Sequence, residues 1–404
     1  MGKIMIESLI EFPRSMYIER SKKVRDLLMD SGIDALFLTN EENIFYFSGV
    51  RFFPPGVSYT RPSFLVLPRD SDPILLVHEN HLMHAKLSTW IKDVRSYSEM
   101  NAAPLDSIIQ MFKDSGVLNS KIAAELGYEQ RINMPYITFR NLEMKISNQF
   151  IDGSHIIWRL RMKKMGEEID CIKTACRILG KAYRELFESI VPGMSELEVA
   201  SLMRATICRL GGERPSFIVL STAIDSNTHQ GISEFSPHTL SLMTRPPLDR
   251  RIKSGELIWI DSGVVYKGYN SDFSRIFILG KPSDRQARMY KLVKQLTREC
   301  ISFIRPGVKC SDVVKFCNKW LKSSGLDVSF EHGRIGHGVG LLVTEPPHIG
   351  IYDDTTIEPG MVLTIEPGIT TDYGTFHLEE NIVVRETGEP EIISPQEDYF
   401  LYKE

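Results

Sequence analysis

Five residues in the second half of the chain have the types and spacing to do chemistry together: Asp261, Asp272, His337, Glu366 and Glu379. The first two lie in GELIWIDSGVVYKGYNSDFSRIFIL, Gly255 to Leu279, where two alternating apolar runs flank Lys267-Gly268, a hairpin signature. With those two residues at the turn, Gly263 faces Asp272, and Asp261 is the diagonal neighbour on the same face. Cross-strand diagonals are roughly 7 Å apart, so the two carboxylates can converge on one point. Asp261 follows Leu257, Ile258, Trp259 and Ile260, which places it deep in a strand. Two carboxylates brought together in an apolar setting repel unless a cation neutralises them. On this stretch alone, a pair of solvated or salt-bridged carboxylates is an equally good reading.

A second stretch changes the balance. MVLTIEPGITTDYGTFHLEENIVV holds Glu366 and Glu379 on the two arms of another hairpin, with Asp372 to Gly374 near its turn. Between the hairpins lies GRIGHGVGLL, in which Gly336 and Gly338 flank His337 and let the backbone come close enough to aim an imidazole into a cavity. Oxygen-dominated ligation with one histidine suits Mn²⁺, Co²⁺, Fe²⁺ or Zn²⁺. Four carboxylates overload one ion, whereas two ions can share them. Two ions roughly 3.5–4 Å apart can hold a bridging hydroxide as nucleophile at neutral pH.

The elements that must position these residues fall into two groups. YIERSKKVRDLLMDS (Tyr17 to Ser31) reads as an amphipathic helix ended by Gly32. DALFL (Asp34 to Leu38), SFLVL (Ser63 to Leu67), PILLV (Pro73 to Val77) and KIAAEL (Lys121 to Leu126) read as strands, with a helix over Ala103 to Asp114. This alternation implies a small α/β domain over residues 1–155. The loop from Arg51 to Pro62 is long enough to reach toward a site. His78, His81 and His84 recur every third residue without acidic or Cys partners and read as solvated helix histidines. Ile157 to Gly166 is a basic connector into a second domain, 160–404. A long helix is expected from Glu167 to Val191, then a capping box at Ser195 and Glu198 opening a helix over Leu197 to Leu210.

That second domain carries an internal repeat. IVPGMSELEV (Ile190 to Val199) recurs loosely as IRPGVKCSDV (Ile304 to Val313), and SGELIWIDSG (Ser254 to Gly263) as PGMVLTIEPG (Pro359 to Gly368). In the second pair Gly255, Asp261 and Gly263 match Gly360, Glu366 and Gly368, all 105 positions apart. Two copies of this length make two halves related by a pseudo-twofold, not a solenoid.

Bulk properties exclude other classes. A chain of 404 residues is long for one core, and 42% hydrophobic with 25% charged residues is a soluble globular composition. A net charge of −4 argues against a nucleic-acid binder. No apolar run reaches the roughly 18–20 residues of a membrane span. The first residues lack a signal-peptide pattern, and six cysteines without a CxxC pair read as thiols in a reducing cytoplasm.

Taken together these residues resemble the pita-bread metallohydrolases: methionine aminopeptidase, Xaa-Pro aminopeptidase, prolidase and their non-peptidase relative creatinase. DALFLTNEENIFYFSG (Asp34 to Gly49) resembles the creatinase-type N-terminal domain of that family, and the chain from about residue 160 resembles its catalytic domain. The resemblance implies an α+β fold, an α/β domain followed by a pita-bread domain. It also implies a homodimer and two divalent ions. By it, Asp261 chelates one ion, His337 and Glu366 bind the other, and Asp272 and Glu379 bridge. His229, in VLSTAIDSNTHQG, becomes the histidine that stabilises the tetrahedral intermediate; without the family it reads as a solvated loop residue. Glu380 competes with Glu379 for the ligand position, and alignment of HLEENIVV with the family's Arg-x-Glu-Asp pattern favours Glu379. Two positions depart from the prolidase pattern. Thr344 stands where those enzymes carry a His before Glu-x-Pro, with His348 four residues on; His377 stands where they carry an Arg associated with the substrate carboxylate. These three are the candidate substrate-binding residues.

The reaction implied is hydrolysis of the bond before proline in a short peptide. A hydroxide shared by the ions attacks, and Glu366 passes the proton to the leaving nitrogen. A creatinase-like hydrolase or lyase of a small non-peptide molecule is the alternative, kept open by Thr344 and His377. A non-catalytic binding module is the third, disfavoured because all five ligand positions are intact.

Overall fold

The computed structural model describes residues 9–52, 60–100, 103–146, 150–222, 246–371 and 373–397. The chain divides into two units, Met1–Arg161 and Met162–Glu404.

The first unit is built on a six-stranded sheet. Its elements are α1 (Arg14–Asp30), β1 (Ala35–Leu38), α2 (Glu41–Ser48), β2 (Phe64–Pro68), β3 (Ile74–His78), α3 (Leu82–Ser88), β4 (Asp93–Tyr97), α4 (Leu105–Asp114), β5 (Ile122–Ala124), α5 (Tyr136–Lys145), β6 (Phe150–Asp152) and α6 (Ser154–Arg161). The strand order is β4-β3-β2-β1-β5-β6, with β1–β5, β3–β4 and β5–β6 parallel and β1–β2 and β2–β3 antiparallel. Strands β1, β2, β3 and β5 are buried at every residue, as uninterrupted apolar runs require when both sheet faces are covered. Helix α2 starts where the Asn40 side chain accepts from the Glu42 N–H, and ends at Gly49 in the left-handed region (φ +86°).

One expectation fails here and another is met only in part. His78 is not a solvated helix residue: β3 runs on through it, burying the ring edge-on to Tyr97 at 5.2 Å. His81 is half-buried against Phe52, and burial, then the neighbouring His78 and Arg61, lower its pKa. Only His84 is exposed, its Nε2 2.8 Å from the Arg51 carbonyl. The stretch from Ile157 to Gly166 does carry the boundary between the two units, after Arg161, but its first half is helical. Ile157 to Arg161 form the second half of α6, which buries Ile156, Ile157, Trp158 and Leu160. Arg161 is buried too, donating to Asn43 Oδ1 at 2.8 Å and lying 4.7 Å from the Trp158 ring. The basic residues of that connector are partly the polar edge of a packed helix.

The second unit opens with α7 (Gly166–Ser189) and α8 (Glu196–Arg209), the latter begun by the expected reciprocal cap between Ser195 and Glu198. Then follow β7 (Arg214–Thr222), β8 (Leu257–Tyr266), β9 (Tyr269–Asn270), β10 (Phe273–Ile278), α9 (Asp284–Phe303), α10 (Cys310–Ser323), β11 (Arg334–Gly338), β12 (Glu345–Gly350), β13 (Val362–Ile365), β14 (Gly368–Thr371), β15 (Gly374–His377), β16 (Glu380–Val383) and β17 (Glu391–Ile392). One sheet has the order β10-β8-β7 with β9 on β8; a second has β12-β11-β13-β16-β17; β14 and β15 form a two-stranded ribbon. A shared core joins Leu257, Trp259 and Ile276 of the first sheet to Leu363 and Ile382 of the second and to α9 and α10.

The repeat is visible as matched backbone contacts. The Gly193 N–H donates to Ile252 O (2.8 Å), and Gly307 N–H to Ile357 O (2.9 Å). Both glycines have φ +93°, while Gly255 and Gly360 have +82° and +84°. Each half therefore delivers a helix, a tight turn and a carboxylate-bearing strand in the same way.

Candidate metal centre

The first hairpin has the register its sequence predicts. Tyr266 pairs with Tyr269, Val265 with Asn270, Ser262 with Phe273 and Asp261 with Ser274. Lys267 (φ +49°) and Gly268 (φ +81°) supply the two left-handed residues of a type I′ turn. Gly263 faces Asp272, and a Cβ there would lie 2.3 Å from the Ser271 carbonyl oxygen. The two strands can close beside the carboxylates only over a glycine. From α7, the buried Tyr183 hydroxyl reaches Phe273 O (2.8 Å) and Ile260 O (3.2 Å), fastening the helix across both strands.

The second hairpin continues one register across an interruption. Ile365 pairs with Glu380 in β13–β16, and Gly368 pairs with His377 in β14–β15. Between these pairs Glu366 stands opposite Glu379. Side chains alternate along a strand, so Glu366 and Gly368 share a face with Glu379 and His377. Asp372, expected near the turn, lies outside the described residues.

His337 comes from β11, wedged between close backbones. A Cβ on Gly336 would meet Thr364 O at 2.1 Å, and one on Gly338 would meet Pro346 O at 2.4 Å. Its Nδ1 lies 2.9 Å from the Gly338 carbonyl. A carbonyl only accepts, so Nδ1 carries the proton and Nε2 presents a lone pair. That Nε2 is 3.4 Å from Asp272 Oδ2 and 3.6 Å from Glu366 Oε1.

Asn381 and Arg275 lock the hairpins together. The Asn381 side chain accepts from the Asp272 N–H (3.0 Å) and donates to Asp272 O (2.5 Å). Arg275 donates to Glu379 O (2.9 Å), Pro395 O (2.6 Å) and Glu380 Oε2 (3.1 Å). Glu380 is thereby committed to Arg275, and Glu379 is the residue that faces the other carboxylates.

The electrostatics describe a site built for cations. Burial, then the charges of Asp261 and Glu366, push the Asp272 carboxyl well above the usual range. Burial and the Asp272 and Asp261 charges do the same to Glu379. Asp261 is raised to about 6, chiefly by burial. Burial lowers His337 to about 4. Glu366 moves the other way: burial would raise it, yet the imidazoles of His377 and His337 and the Arg334 guanidinium bring it down to about 2. Asp261 Oδ1, Asp272 Oδ1, both Glu379 carboxylate oxygens and His377 Nε2 are buried with no hydrogen-bond partner. Buried polar atoms are ordinarily paired, and orphaned acceptors in such number around one point fit divalent cations. Two groups bring one donor atom from each residue within 4.8 Å: Asp272, His337 and Glu379; and Glu366, His377 and Glu379. Glu379 belongs to both, and Asp261 to neither.

The remaining sequence candidates also have places. His348 on β12 pairs with His337, and its Nδ1 lies 3.2 Å from Arg334 Nη1. Thr344 Oγ1 lies 3.5 Å from Arg334 Nη2, and Arg334 Nε is 3.9 Å from Glu366 Oε1. Arg334, unremarked in the sequence, is the hub of that group. His377 is buried beside Trp259 (rings 5.3 Å apart, edge-on) with Nε2 3.3 Å from Glu366 Oε2. His229 lies outside the described residues.

The fold and this carboxylate-lined site define a metal-dependent hydrolase. Residues 170–386 match the model of metallopeptidase family M24, and residues 20–163 that of the creatinase/prolidase N-terminal domain; the chain belongs to metallopeptidase family M24. It is 29% identical over 371 residues to the Xaa-Pro dipeptidase of Pyrococcus furiosus, covering 92% of this chain and 96% of that one. The crystal structure of the prolidase from Pyrococcus horikoshii OT3 superposes with a TM-score of 0.78 at 25% identity, covering 95% of this chain and 100% of that one. The X-Pro aminopeptidase of Thermotoga maritima MSB8 shares the fold, with a TM-score of 0.77, 24% identity and coverage of 95% and 99%.

Proposed function

We propose that this chain is an Xaa-Pro peptidase that uses two divalent ions to split the bond before proline in short peptides. The observation that carries the reading is the meeting of two hairpins and β11 in two overlapping donor groups, Asp272, His337 and Glu379 and Glu366, His377 and Glu379, with unpartnered buried atoms on Asp261, Asp272, Glu379 and His377. Similarity to Xaa-Pro dipeptidases over nine-tenths of the chain supports the substrate class. The five named residues would hold the ions. When bound, divalent ions supply Lewis-acid polarisation of the scissile carbonyl and a water acidic enough to attack at neutral pH. Glu366, ionised throughout the neutral range, accepts the proton that the attacking water releases and returns it to the departing nitrogen. His229 donates to the oxyanion. Arg334, about one-third exposed, presents a guanidinium beside Glu366 for the substrate carboxylate that prolidases bind with the Arg missing at position 377. The native ion is drawn from Mn²⁺, Co²⁺, Zn²⁺ and Fe²⁺, with Mn²⁺ our first choice.

The cytoplasm as its place is supported by six free cysteines. Among the described residues no helix is long and apolar enough to cross a membrane. A homodimer would cover exposed Tyr136, Ile137 and Met144 on α5.

The test is an assay of Mn²⁺- and Co²⁺-reconstituted protein against Xaa-Pro dipeptides, Xaa-Pro-Yaa tripeptides and creatine. Cleavage before proline upholds the proposal, and dipeptide preference lost in Arg334→Leu upholds the carboxylate anchor. Turnover of creatine alone would move the chain to the non-peptide reading that His377 and Thr344 favour.

A further inference from the structure

We propose that His377 is itself a metal ligand, its Nε2 binding the ion held by Glu366 and Glu379, and that Ser274 is the positioning residue that fixes its tautomer. The proposal rests on the two-ion reading above.

Hydrogen-bond accounting sets the ring. Ser274 Oγ lies 2.8 Å from the His377 carbonyl and 3.0 Å from His377 Nδ1. A hydroxyl has one proton, and the carbonyl can only accept, so that proton goes to the carbonyl. Towards Nδ1 the hydroxyl must therefore accept, which puts a proton on Nδ1 and leaves Nε2 with a lone pair in the neutral ring. This is the state reached at His337, where the Gly338 carbonyl takes the Nδ1 proton. A second group that orients the imidazole and frees the other nitrogen is the usual support of a metal-binding histidine.

Nε2 then points at Glu366 Oε2, 3.3 Å away, and makes no hydrogen bond. With the ring neutral, two acceptors face each other in a buried place, so either a proton or a metal ion must lie between them; the metal-bound state is the one proposed here. Two atoms each about 2.1 Å from one ion, at angles between right and tetrahedral, are about 3.0–3.4 Å apart. The observed separation already suits a shared ion.

The packing leaves the ring no other outlet. A Cβ on Gly368 would meet His377 Cδ2 at 2.4 Å, and Trp259 closes another side. At 1% exposure His377 is far less open than Arg334, which makes it a poor group for gripping a peptide end. The two donor groups divide the imidazoles, His337 with Asp272 and His377 with Glu366, with Glu379 common to both, while His337 Nε2 also lies 3.6 Å from Glu366 Oε1.

The test uses Co²⁺ as probe on full-length wild type, His377→Ala and Ser274→Ala, with cooperative melting of the metal-free proteins as the fold check. Equilibrium dialysis should give two Co²⁺ per wild-type chain. In His377→Ala one of the two should weaken by about 100-fold or more while the other keeps its affinity; Ser274→Ala, which removes no ligand, should weaken the same ion by about 10–100-fold. Proton NMR of the Co²⁺ form should show two exchangeable, hyperfine-shifted imidazole N–H signals in wild type and one in His377→Ala. Two tightly bound ions with an unchanged spectrum in His377→Ala, or one shifted N–H in wild type, would overturn the proposal and leave the two-ion site standing. Failure of wild type to bind two Co²⁺ would overturn the site reading beneath it. Should His377→Ala not fold, wild-type NMR and Ser274→Ala decide alone.

Discussion

Glu379 is where a single substitution should act on both ions at once. It belongs to both donor groups, it is 1% exposed, and neither of its carboxylate oxygens has a hydrogen-bond partner. A ligand that binds only the folded state at 100 times its Kd stabilises by about 2.7 kcal/mol per site, so two ions give about 5 kcal/mol. For a unit of this size each kcal/mol is worth about 2–4 °C in Tm, so saturating Mn²⁺ should raise the wild-type Tm by about 10–20 °C. Glu379→Gln keeps the shape and removes the shared charge; its Mn²⁺ shift should fall below about 5 °C. The metal-free forms add a pH signature. A carboxyl whose pKa is raised on folding stabilises below its unfolded value and loses that contribution as pH rises through its folded value. Asp261 does this up to about 6, and Asp272 and Glu379, both pushed well above the usual carboxyl range, act in the same direction. His337, lowered to about 4, slopes the other way only between about 4 and its ordinary 6.5. With three raised carboxyls against one lowered imidazole, metal-free wild type should therefore lose stability as pH rises toward and through about 6, and Glu379→Gln should lose less. The assay is calorimetry of metal-free and Mn²⁺-loaded protein at several pH values. An unreduced Mn²⁺ shift in Glu379→Gln would refute the shared-ligand reasoning.

Three further outcomes follow from single contacts. Asn381→Ala removes the clamp on the Asp272 backbone while leaving every ligand, so ion affinity should drop about 10–100-fold by dialysis. Gly336→Ala sets a methyl 2.1 Å from a carbonyl oxygen and should cost about 1–3 kcal/mol in urea unfolding, with reduced metal content. His229→Ala should retain both ions and lose about 10²–10³ in kcat, the size of a lost oxyanion donor.

Much of the site was legible because hairpin register is arithmetic. Once Lys267-Gly268 is the turn, the partners of Asp261 and Asp272 are fixed, and the repeat transfers the same logic to Glu366 and Glu379. Alternation also places His377 on the ligand face beside Glu379, yet the departure from the prolidase Arg drew it toward a substrate role. Arg275 and Asn381 were less legible, since their partners are backbone atoms and Glu380 brought near only by tertiary folding; a lone Arg inside FSRIF was the available hint. The basic stretch from Ile157 to Gly166 does hold the boundary between units, but its basic residues hide that its first half is helix α6, with Arg161 buried against Asn43 and Trp158. The spacing of His78, His81 and His84 suggested one helix face, but the strand ends only after His78.

The most direct measurement is a titration of metal-free protein with Mn²⁺, following release of the N-terminal residue from an Xaa-Pro peptide by mass spectrometry. Turnover that is absent in chelator and rises to a plateau at about two Mn²⁺ per chain is the predicted result. Undiminished cleavage in chelator, or two bound ions with no cleavage before proline, would contradict the account.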